Sequence, residues 1–307
     1  MSLTVVGTMA FDELETPFGK SGRIIGGSAT YIAWAASNFV QPINQVSIVG
    51  ADFPQSELDA LKAKGVALDG VQIKQDGKTF YWSGKYHMDM NTRDSLVTEL
   101  NVLADFQPVI PENYQGSEFL ILGNLTPLVQ MSVLEQMKVR PKLIVMDTMN
   151  FWMEVAMDDL LKVLTKVDVL MVNDGEARQL SGEYSLVKAA RKILGMGPRY
   201  LIIKKGEHGA LLFHDNHVFF APAMPLDDVY DPTGAGDTFA GGFIGYLAKT
   251  KDISFENMKT AIIVGSAMAS FCVERFGTER IREVTHDDIT ARIDQFVQLV
   301  NFDIDLV

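Results

Sequence analysis

Residues 230–243 read YDPTGAGDTFAGGF, which combines a proline turn, two glycines around an alanine, and an acid at the start of a predicted helix. Because Gly234 and Gly236 lack side chains, the backbone N–H groups there can approach an anion closely. The start of the helix adds unpaired N–H donors and the positive end of the helix dipole. The amides of Gly234, Ala235 and Gly236 are therefore predicted to bind a phosphate or another oxyanion.

Asp237 lies in the first turn of the same predicted helix, beside the predicted anion site. A carboxylate in that place can accept the proton of a hydroxyl that attacks a phosphoryl group. We expect the helix dipole to lower the pKa of Asp237, which a loose phosphoryl transition state tolerates because the proton moves late. Simple helix capping is the alternative explanation, and the length of the motif favours the catalytic one.

Residues 231–243, DPTGAGDTFAGGF, resemble the C-terminal signature of the ribokinase-like, or pfkB, carbohydrate kinases. Gly26-Gly27, NDGE at 173–176 and KGEHG at 205–209 resemble further elements of that family, in the same order. The resemblance implies a doubly wound α/β fold, an αβα sandwich with a mainly parallel central sheet and a small β-sheet lid. It also implies phosphoryl transfer from ATP, with Mg²⁺, to a hydroxyl of a small molecule.

The main functional hypothesis is an ATP-dependent kinase for a small sugar, with Asp237 as the base and the amides of residues 234–236 as the anion hole. An adenosine-like nucleoside kinase of the same fold is the first alternative. The second is a non-catalytic regulator that binds nucleotide or sugar, but such a binder has no need of the base. No GxxxxGK[ST] occurs in the chain and no GxGxxG follows the first strand, which argues against a P-loop and a dinucleotide fold.

Eight residues are predicted to contact the nucleotide. They are Asn173, Glu176, Lys205, Gly206, Gly209, Thr233, Gly265 and Ala269. Asn173 and Glu176 fit a helix capping box equally well. The small residues Gly265 and Ala269 would admit a flat adenine, although helix packing also explains them. Lys204 is predicted to be solvated.

Two metal ions are implied by the resemblance. Glu176 would arrange Mg²⁺ through water. Asp231 and Thr233 would lie near a monovalent-cation site, for K⁺, that some family members have. The five histidines lack the spacing of a transition-metal site, so zinc is not predicted.

Seven residues are predicted to contact the acceptor. They are Asp12, Gly26, Gly27, Tyr31, Tyr86, Asn124 and Asp147. Tyr31 departs from the ribokinase pattern, which has an asparagine there, and this argues against ribose itself. Its ring favours stacking on a base or on the apolar face of a sugar. Asn124 and Asp147 follow predicted strands, where Asx turns are the alternative explanation.

Short apolar runs alternate with segments of helical periodicity, and this alternation predicts a parallel sheet that is covered on both faces. Predicted strands are 3–6, 46–49, 119–122, 143–146, 169–172 and 200–203, with a hairpin at 210–220. Predicted helices are 28–39, 55–64, 127–138, 158–166, 186–195, 234–249, 255–275 and 286–300. Ligands of such sheets bind at the carboxyl ends of the strands, where the predicted site residues lie.

Residues 69–100 lack a helical pattern and predict antiparallel strands that form a lid together with residues 13–25. We expect one kinase domain over 1–307, and a homodimer through the lid if its sheet exposes an apolar face.

The composition is that of a globular protein with a small-molecule partner. Hydrophobic residues make up 47%, and 39 acidic against 27 basic residues give a formal charge of −12, which argues against nucleic acid. The single cysteine, Cys272, suits the cytoplasm. The start of the chain lacks a signal-peptide pattern, and no apolar stretch is long enough to span a membrane.

Overall fold

The computed structural model describes residues 2–301 and residue 303. Within these residues the chain forms thirteen strands and eleven α-helices. The strands are β1 (Leu3–Val6), β2 (Ala10–Thr16), β3 (Gly19–Gly26), β4 (Ile43–Gly50), β5 (Val66–Lys74), β6 (Tyr81–Tyr86), β7 (Arg93–Glu99), β8 (Phe119–Leu122), β9 (Leu143–Asp147), β10 (Val169–Asn173), β11 (Tyr200–Lys204), β12 (Ala210–His214) and β13 (His217–Ala221). The helices are α1 (Ser28–Ala36), α2 (Gln55–Ala63), α3 (Pro127–Gln136), α4 (Asn150–Val155), α5 (Met157–Leu164), α6 (Asp174–Ser181), α7 (Leu186–Leu194), α8 (Ala235–Thr250), α9 (Phe255–Cys272), α10 (Glu279–Glu283) and α11 (His286–Val300).

The main sheet has nine strands in the order β13-β12-β11-β10-β9-β8-β1-β4-β5. Neighbouring strands are parallel throughout the run β11-β10-β9-β8-β1-β4-β5. Beyond β11, strands β12 and β13 extend the sheet in antiparallel pairing. Side chains alternate between two cores, so that Val145 of β9 packs on one face while Ile144 and Met146 pack on the other. Helices cover both faces, and the predicted αβα sandwich is confirmed.

The six predicted strands, the hairpin at 210–220 and the helix at 286–300 are confirmed, and the other predicted helices form with their ends shifted. The sequence missed α4 and α10, which at six and five residues are too short to reveal a helical period. For α6 it indicated only the capping box at the start. Among the described residues, no helix has both the length and the apolar character to cross a bilayer.

A second, small sheet has four strands in the order β3-β2-β6-β7. It rises from the carboxyl end of β1, so that Asp12 of β2 lies near the strand ends of the main sheet. The predicted lid is wrong for residues 69–74, because β5 pairs with β4 at the edge of the main sheet. The antiparallel strands predicted within 69–100 are confirmed for β6 and β7, and β2 joins this pair in parallel with β6. Polar and apolar residues alternate both in a half-buried edge strand and in an antiparallel strand of a small sheet, so the sequence pattern cannot distinguish the two.

Candidate active site

Residues 231–236, here called the anion loop, lead directly into helix α8. Gly234 is the N-cap and has a φ of 74°, a left-handed conformation in which a side chain is strained. A Cβ there would also strike the ring of Tyr31, and a Cβ on Gly236 would lie 2.9 Å from Nζ of Lys204. The N–H groups of Gly234 and Gly236 can therefore receive an anion. The predicted contribution of Ala235 is not supported, because its N–H already donates to the carbonyl of Pro232 at 3.2 Å.

Asp231 anchors the anion loop from the interior. One carboxylate oxygen accepts the N–H of Thr233 and the other accepts the N–H of Gly277, both at 2.8 Å. Burial raises the pKa of Asp231 to about 6, against the lowering effect of these two hydrogen bonds. The hydroxyl of Thr233 donates to the hydroxyl of Tyr86 at 3.1 Å, which ties the loop to the small sheet.

Asp237 is half-buried in the first turn of α8. Burial, and then the carboxylate of Asp147, raise the pKa of Asp237 to about 7, whereas Lys204 and Arg93 act to lower it. The expectation that the helix dipole lowers this pKa is wrong in net effect, because desolvation and a like charge outweigh the dipole. A base with a pKa near neutrality is well matched to proton transfer at physiological pH.

Lys204 at the end of β11 pairs with Asp147 at the end of β9, with 2.6 Å between Nζ and Oδ2. Burial acts to lower the pKa of Lys204, but the carboxylates of Asp147 and Glu176 outweigh burial and raise it. The ammonium group therefore stays charged, and it faces Gly236 of the anion loop. The site thus holds a fixed positive charge beside the amide of Gly236.

Asn173 and Glu176 form the predicted capping box at the start of α6. The carboxylate of Glu176 accepts the N–H of Asn173 at 2.7 Å, and the side chain of Asn173 accepts the N–H of Glu176 at 2.8 Å. Burial, and then the charge of Asp147, raise the pKa of Glu176 to about 7, with Lys204 opposing them. Its carboxylate therefore belongs to the same electrostatic cluster as Asp237.

Asp12 projects from β2 on the other side of the cleft, where its carboxylate lies directly against Gly26. Only 5% of Asp12 is exposed, and burial, followed by the charges of Asp231 and Asp237, raises its pKa to about 7. Gly27 caps helix α1 with a φ of 94°. This side of the cleft offers a buried carboxylate that can accept hydrogen bonds from the hydroxyls of a ligand.

Comparison with known proteins agrees with this geometry. The sequence profile of the pfkB family carbohydrate kinases matches residues 5–284. The chain belongs to that family. It is 30% identical over 290 residues to a cytidine kinase of Thermococcus kodakarensis, covering 92% of this kinase and 96% of the relative. It is 26% identical over 310 residues to a nucleoside kinase of Methanothermobacter thermautotrophicus, covering 90% and 91%.

The fold of this carbohydrate kinase is that of the ribokinase family. The crystal structure of a Methanocaldococcus jannaschii nucleoside kinase, an archaeal member of the ribokinase family, superposes with a TM-score of 0.76 at 20% identity. The superposition covers 96% of this chain and 98% of the other.

Most of the predicted site residues of the kinase lie around one cleft. Around the anion loop are Asp12, Gly26, Gly27, Asp147, Asn173, Glu176, Asp231, Thr233, Gly234, Ala235, Gly236 and Asp237. Their functional roles stay predictions, as does that of Ala269, which is half-buried.

Three predicted ligand contacts do not fit the structure. Tyr31 is only 1% exposed and its ring packs beneath Gly234, so it cannot stack on a ligand. Tyr86 is buried with its hydroxyl bonded to Thr233, so it fastens the small sheet to the anion loop. Gly265 packs against the backbone and ring of Phe239 of α8, which leaves no room for adenine.

Asn124 is tied to helix α4. Its side chain accepts the indole N–H of Trp152 at 2.8 Å and donates to the sulfur of Met149 at 3.1 Å. Both ends of the amide are therefore engaged within the protein, and its contact with the acceptor stays a prediction.

The two lysines at the end of β11 point to different neighbours. Lys204, predicted to be solvated, faces the anion loop, whereas Nζ of Lys205 lies 5.9 Å from the ring of Phe220. Lys205 still precedes Gly206 and Gly209, which have φ values of 55° and 80°. Successive side chains along a strand point to opposite faces, and this alternation could have predicted that Lys204 and Lys205 point in different directions.

Arg93 is a second charged residue that the sequence did not single out. It begins β7 of the small sheet, opposite Tyr86 in the register. Its charge acts to lower the pKa of Asp12, Glu176 and Asp237 together. The small sheet therefore places the guanidinium of Arg93 near the carboxylates of the cleft. No local motif within residues 69–100 marks Arg93 as a site residue.

Proposed function

We propose that this kinase transfers the γ-phosphoryl group of ATP to a sugar hydroxyl of a nucleoside. The observation that carries the proposal is the adjacency of Asp237, the amides of Gly234 and Gly236, and the ammonium of Lys204. A base, an anion site and a fixed cation at one helix start are the parts that phosphoryl transfer needs.

Each residue then has one task in the reaction. Asp12 accepts hydrogen bonds from sugar hydroxyls and orients the attacking one toward the anion loop. Asp237 accepts the proton of that hydroxyl as the bond to phosphorus forms. The amides of Gly234 and Gly236 and the ammonium of Lys204 stabilise the charge on the transferred group.

Mg²⁺, when bound, neutralises part of the phosphate charge. Among residues 2–301 and 303, no three His, Cys, Asp or Glu side chains are arranged to hold a metal ion. A Mg²⁺ held mainly by phosphates and water needs only one or two carboxylates, and Glu176 fits that need because one of its oxygens is not used by the capping box.

A nucleoside is favoured over a free sugar by Trp82. This half-buried residue is the register partner of Asp12, so both side chains are on one face of the small sheet. Its indole lies against Gly84 and its N–H donates to Ser95 of β7 at 3.1 Å, so the ring covers part of the sheet face that carries Asp12. Two relatives that match at least 90% of this chain are named cytidine kinase and nucleoside kinase.

ATP turnover with a panel of nucleosides, pentoses and hexoses tests this proposal. We expect kcat/KM for the best nucleoside to exceed that for free ribose by about 5- to 150-fold, since base stacking on an aromatic ring contributes roughly 1 to 3 kcal/mol. Trp82→Ala should remove most of this preference. Tyr81→Ala, which alters an aromatic residue on the opposite face of the same strand, should keep it. The family also supports a free sugar as acceptor, and equal turnover of ribose and its nucleosides would favour that second candidate.

A monovalent cation beside the anion loop also belongs to the proposal. Asp231 is a buried carboxylate that accepts the N–H groups of Thr233 and Gly277, and no basic side chain among residues 2–301 and 303 forms an ion pair with it. We expect turnover to rise severalfold when K⁺ replaces a bulky tetraalkylammonium ion at constant ionic strength. Asp231→Asn should abolish the K⁺ effect. A turnover rate of the parent protein that does not depend on K⁺ would contradict the assigned cation site.

The small sheet is also proposed to form a homodimer. All seven residues of its edge strand β7 are exposed, including Leu96 at 55% and Val97 at 41%. An exposed edge with apolar side chains is a template for pairing with a second copy. Light scattering should give a dimeric mass that Val97→Lys converts to a monomeric one. A monomeric mass for the parent protein at micromolar concentration would refute the dimer.

A further inference from the structure

The turn between β6 and β7, residues 87–92, is folded by its own hydrogen bonds. The carboxylate of Asp89 accepts the N–H groups of Asn91 and Thr92 at 3.1 and 2.9 Å, and the hydroxyl of Thr92 at 2.6 Å. The N–H of His87 donates to the carbonyl of Thr92 at 2.9 Å. These bonds use the backbone of Asn91 but not its side chain. Among the described residues, the amide side chain of Asn91 forms no hydrogen bond and so has no part in folding the turn.

That free amide lies on the loop that is predicted to bind the nucleotide. A Cβ built on Gly206 would come within 2.5 Å of Oδ1 of Asn91, so the side chain of Asn91 is seated against the backbone of the 205–209 loop. Gly206 has a φ of 55°, in the left-handed region that favours glycine, and a side chain there would displace the amide of Asn91. The small sheet therefore extends across the cleft from the acceptor side to the nucleotide side.

The same sheet has two other attachments in the cleft. Asp12 of β2, which faces the acceptor, pairs in register with Trp82 of β6. Tyr86, the last residue of β6, is bonded to Thr233 of the anion loop. One hydrogen-bonded unit thus joins the acceptor carboxylate, the anion loop and the 205–209 loop.

From this arrangement we infer that Asn91 docks the small sheet on the nucleotide loop, so that nucleotide binding holds the sheet closed over the acceptor. The inference rests on the proposed function for the location of both ligands. An amide has two N–H donors and one acceptor oxygen, which a phosphate or ribose oxygen beside Gly206 can engage. A nucleotide then interacts with the closed sheet and not with an open one, which is the difference that a shift in population requires.

Two consequences follow for binding. Nucleotide alone should protect the turn, because it favours the docked position. Acceptor and nucleotide should also bind cooperatively, since each stabilises the same position of one sheet, and the coupling must be equal in both directions. Couplings of this kind are typically about 5- to 150-fold, and we expect roughly tenfold here.

Hydrogen exchange with the ATP analogue AMP-PNP and Mg²⁺ tests the docking without any acceptor. In the parent protein the amides of residues 87–92 should exchange several times more slowly when AMP-PNP is bound. In Asn91→Ala this protection should vanish, while exchange without nucleotide stays unchanged because the hydrogen bonds from Asp89 remain. Asn216→Ala, an exposed asparagine in the β12–β13 turn, should behave as the parent protein. Protection that survives in Asn91→Ala, or no protection in the parent when AMP-PNP binds, would overturn the inference.

Calorimetry with cytidine separates this inference from the proposed function. The Kd of cytidine should fall about tenfold with AMP-PNP in the parent protein and hardly change in Asn91→Ala. If cytidine fails to bind the parent protein, this choice of nucleoside is refuted, while the exchange measurement still decides the docking. If cytidine binds equally well with and without AMP-PNP, the coupling is refuted and the kinase assignment is unaffected.

Discussion

Asp237→Asn is expected to lower kcat by about 10²-fold or more while the Kd for nucleotide changes little. Asparagine keeps the size and shape of the side chain at the start of α8, so the anion loop should keep its conformation. It cannot accept the proton of the attacking hydroxyl, and it removes one carboxylate from a site that already holds Asp147 beside it. Steady-state kinetics and calorimetry with AMP-PNP would measure the two quantities.

A matched control distinguishes catalysis from helix capping. Asp287 is an exposed acid in the first turn of α11, a different helix from the one that the anion loop precedes. Asp287→Asn removes the same favourable interaction with a helix dipole, roughly 0.3 to 1 kcal/mol, and should leave kcat unchanged. If Asp237→Asn lowered only the stability and kept its turnover, Asp237 would be a capping acid and the assigned base would be wrong.

The anion loop could be predicted from the sequence because its conformation is determined by consecutive residues. A positive φ at Gly234, a proline turn before it and a helix start after it all depend on consecutive residues. Buried parallel strands were equally readable, since runs such as Phe119–Leu122 are apolar throughout and bounded by turn residues. The order of the family's sequence motifs along the chain then predicted the fold.

Contacts between distant segments could not be predicted in the same way. Lys204 and Asp147 are 57 residues apart, and their pairing follows from the parallel order of β9, β10 and β11. Tyr31 was assigned to the ligand, whereas the packing of α1 against α8 buries its ring under Gly234. The pKa of Asp237 likewise depends on desolvation and on Asp147, neither of which a helix position reveals.

Lys204→Met is expected to lower kcat at pH 7 by about 10²-fold, comparable to the loss of one oxyanion-hole donor. Methionine keeps an unbranched chain of similar length in a half-buried site but removes the charge that faces Gly236. It also leaves Asp147 buried without its partner. Both effects weaken the stabilisation of the transferred phosphoryl group, and steady-state kinetics at saturating ATP would measure the loss.

The pH profile separates these electrostatic effects from simple damage to the fold. Asp237 is active as the carboxylate and has a pKa raised to about 7, so kcat/KM of the parent protein should fall as the pH drops below that value. Lys204 acts to lower this pKa. Its removal should therefore move the acid limb of the profile to higher pH, and Lys204→Arg should restore most of the parent position because the cation returns.

Lys205→Met is the matched control, since it removes the neighbouring charge that points toward Phe220 instead of the anion loop. The acid limb should stay in place in this variant, whatever happens to the KM for ATP. If Lys204→Met lost activity at all pH values and the acid limb of the pH profile stayed in place, Lys204 would bind phosphate without changing the pKa of Asp237. If the limb moved equally in both variants, the long-range charge of the protein, and not the pair of Lys204 with Asp147, would set the protonation of Asp237.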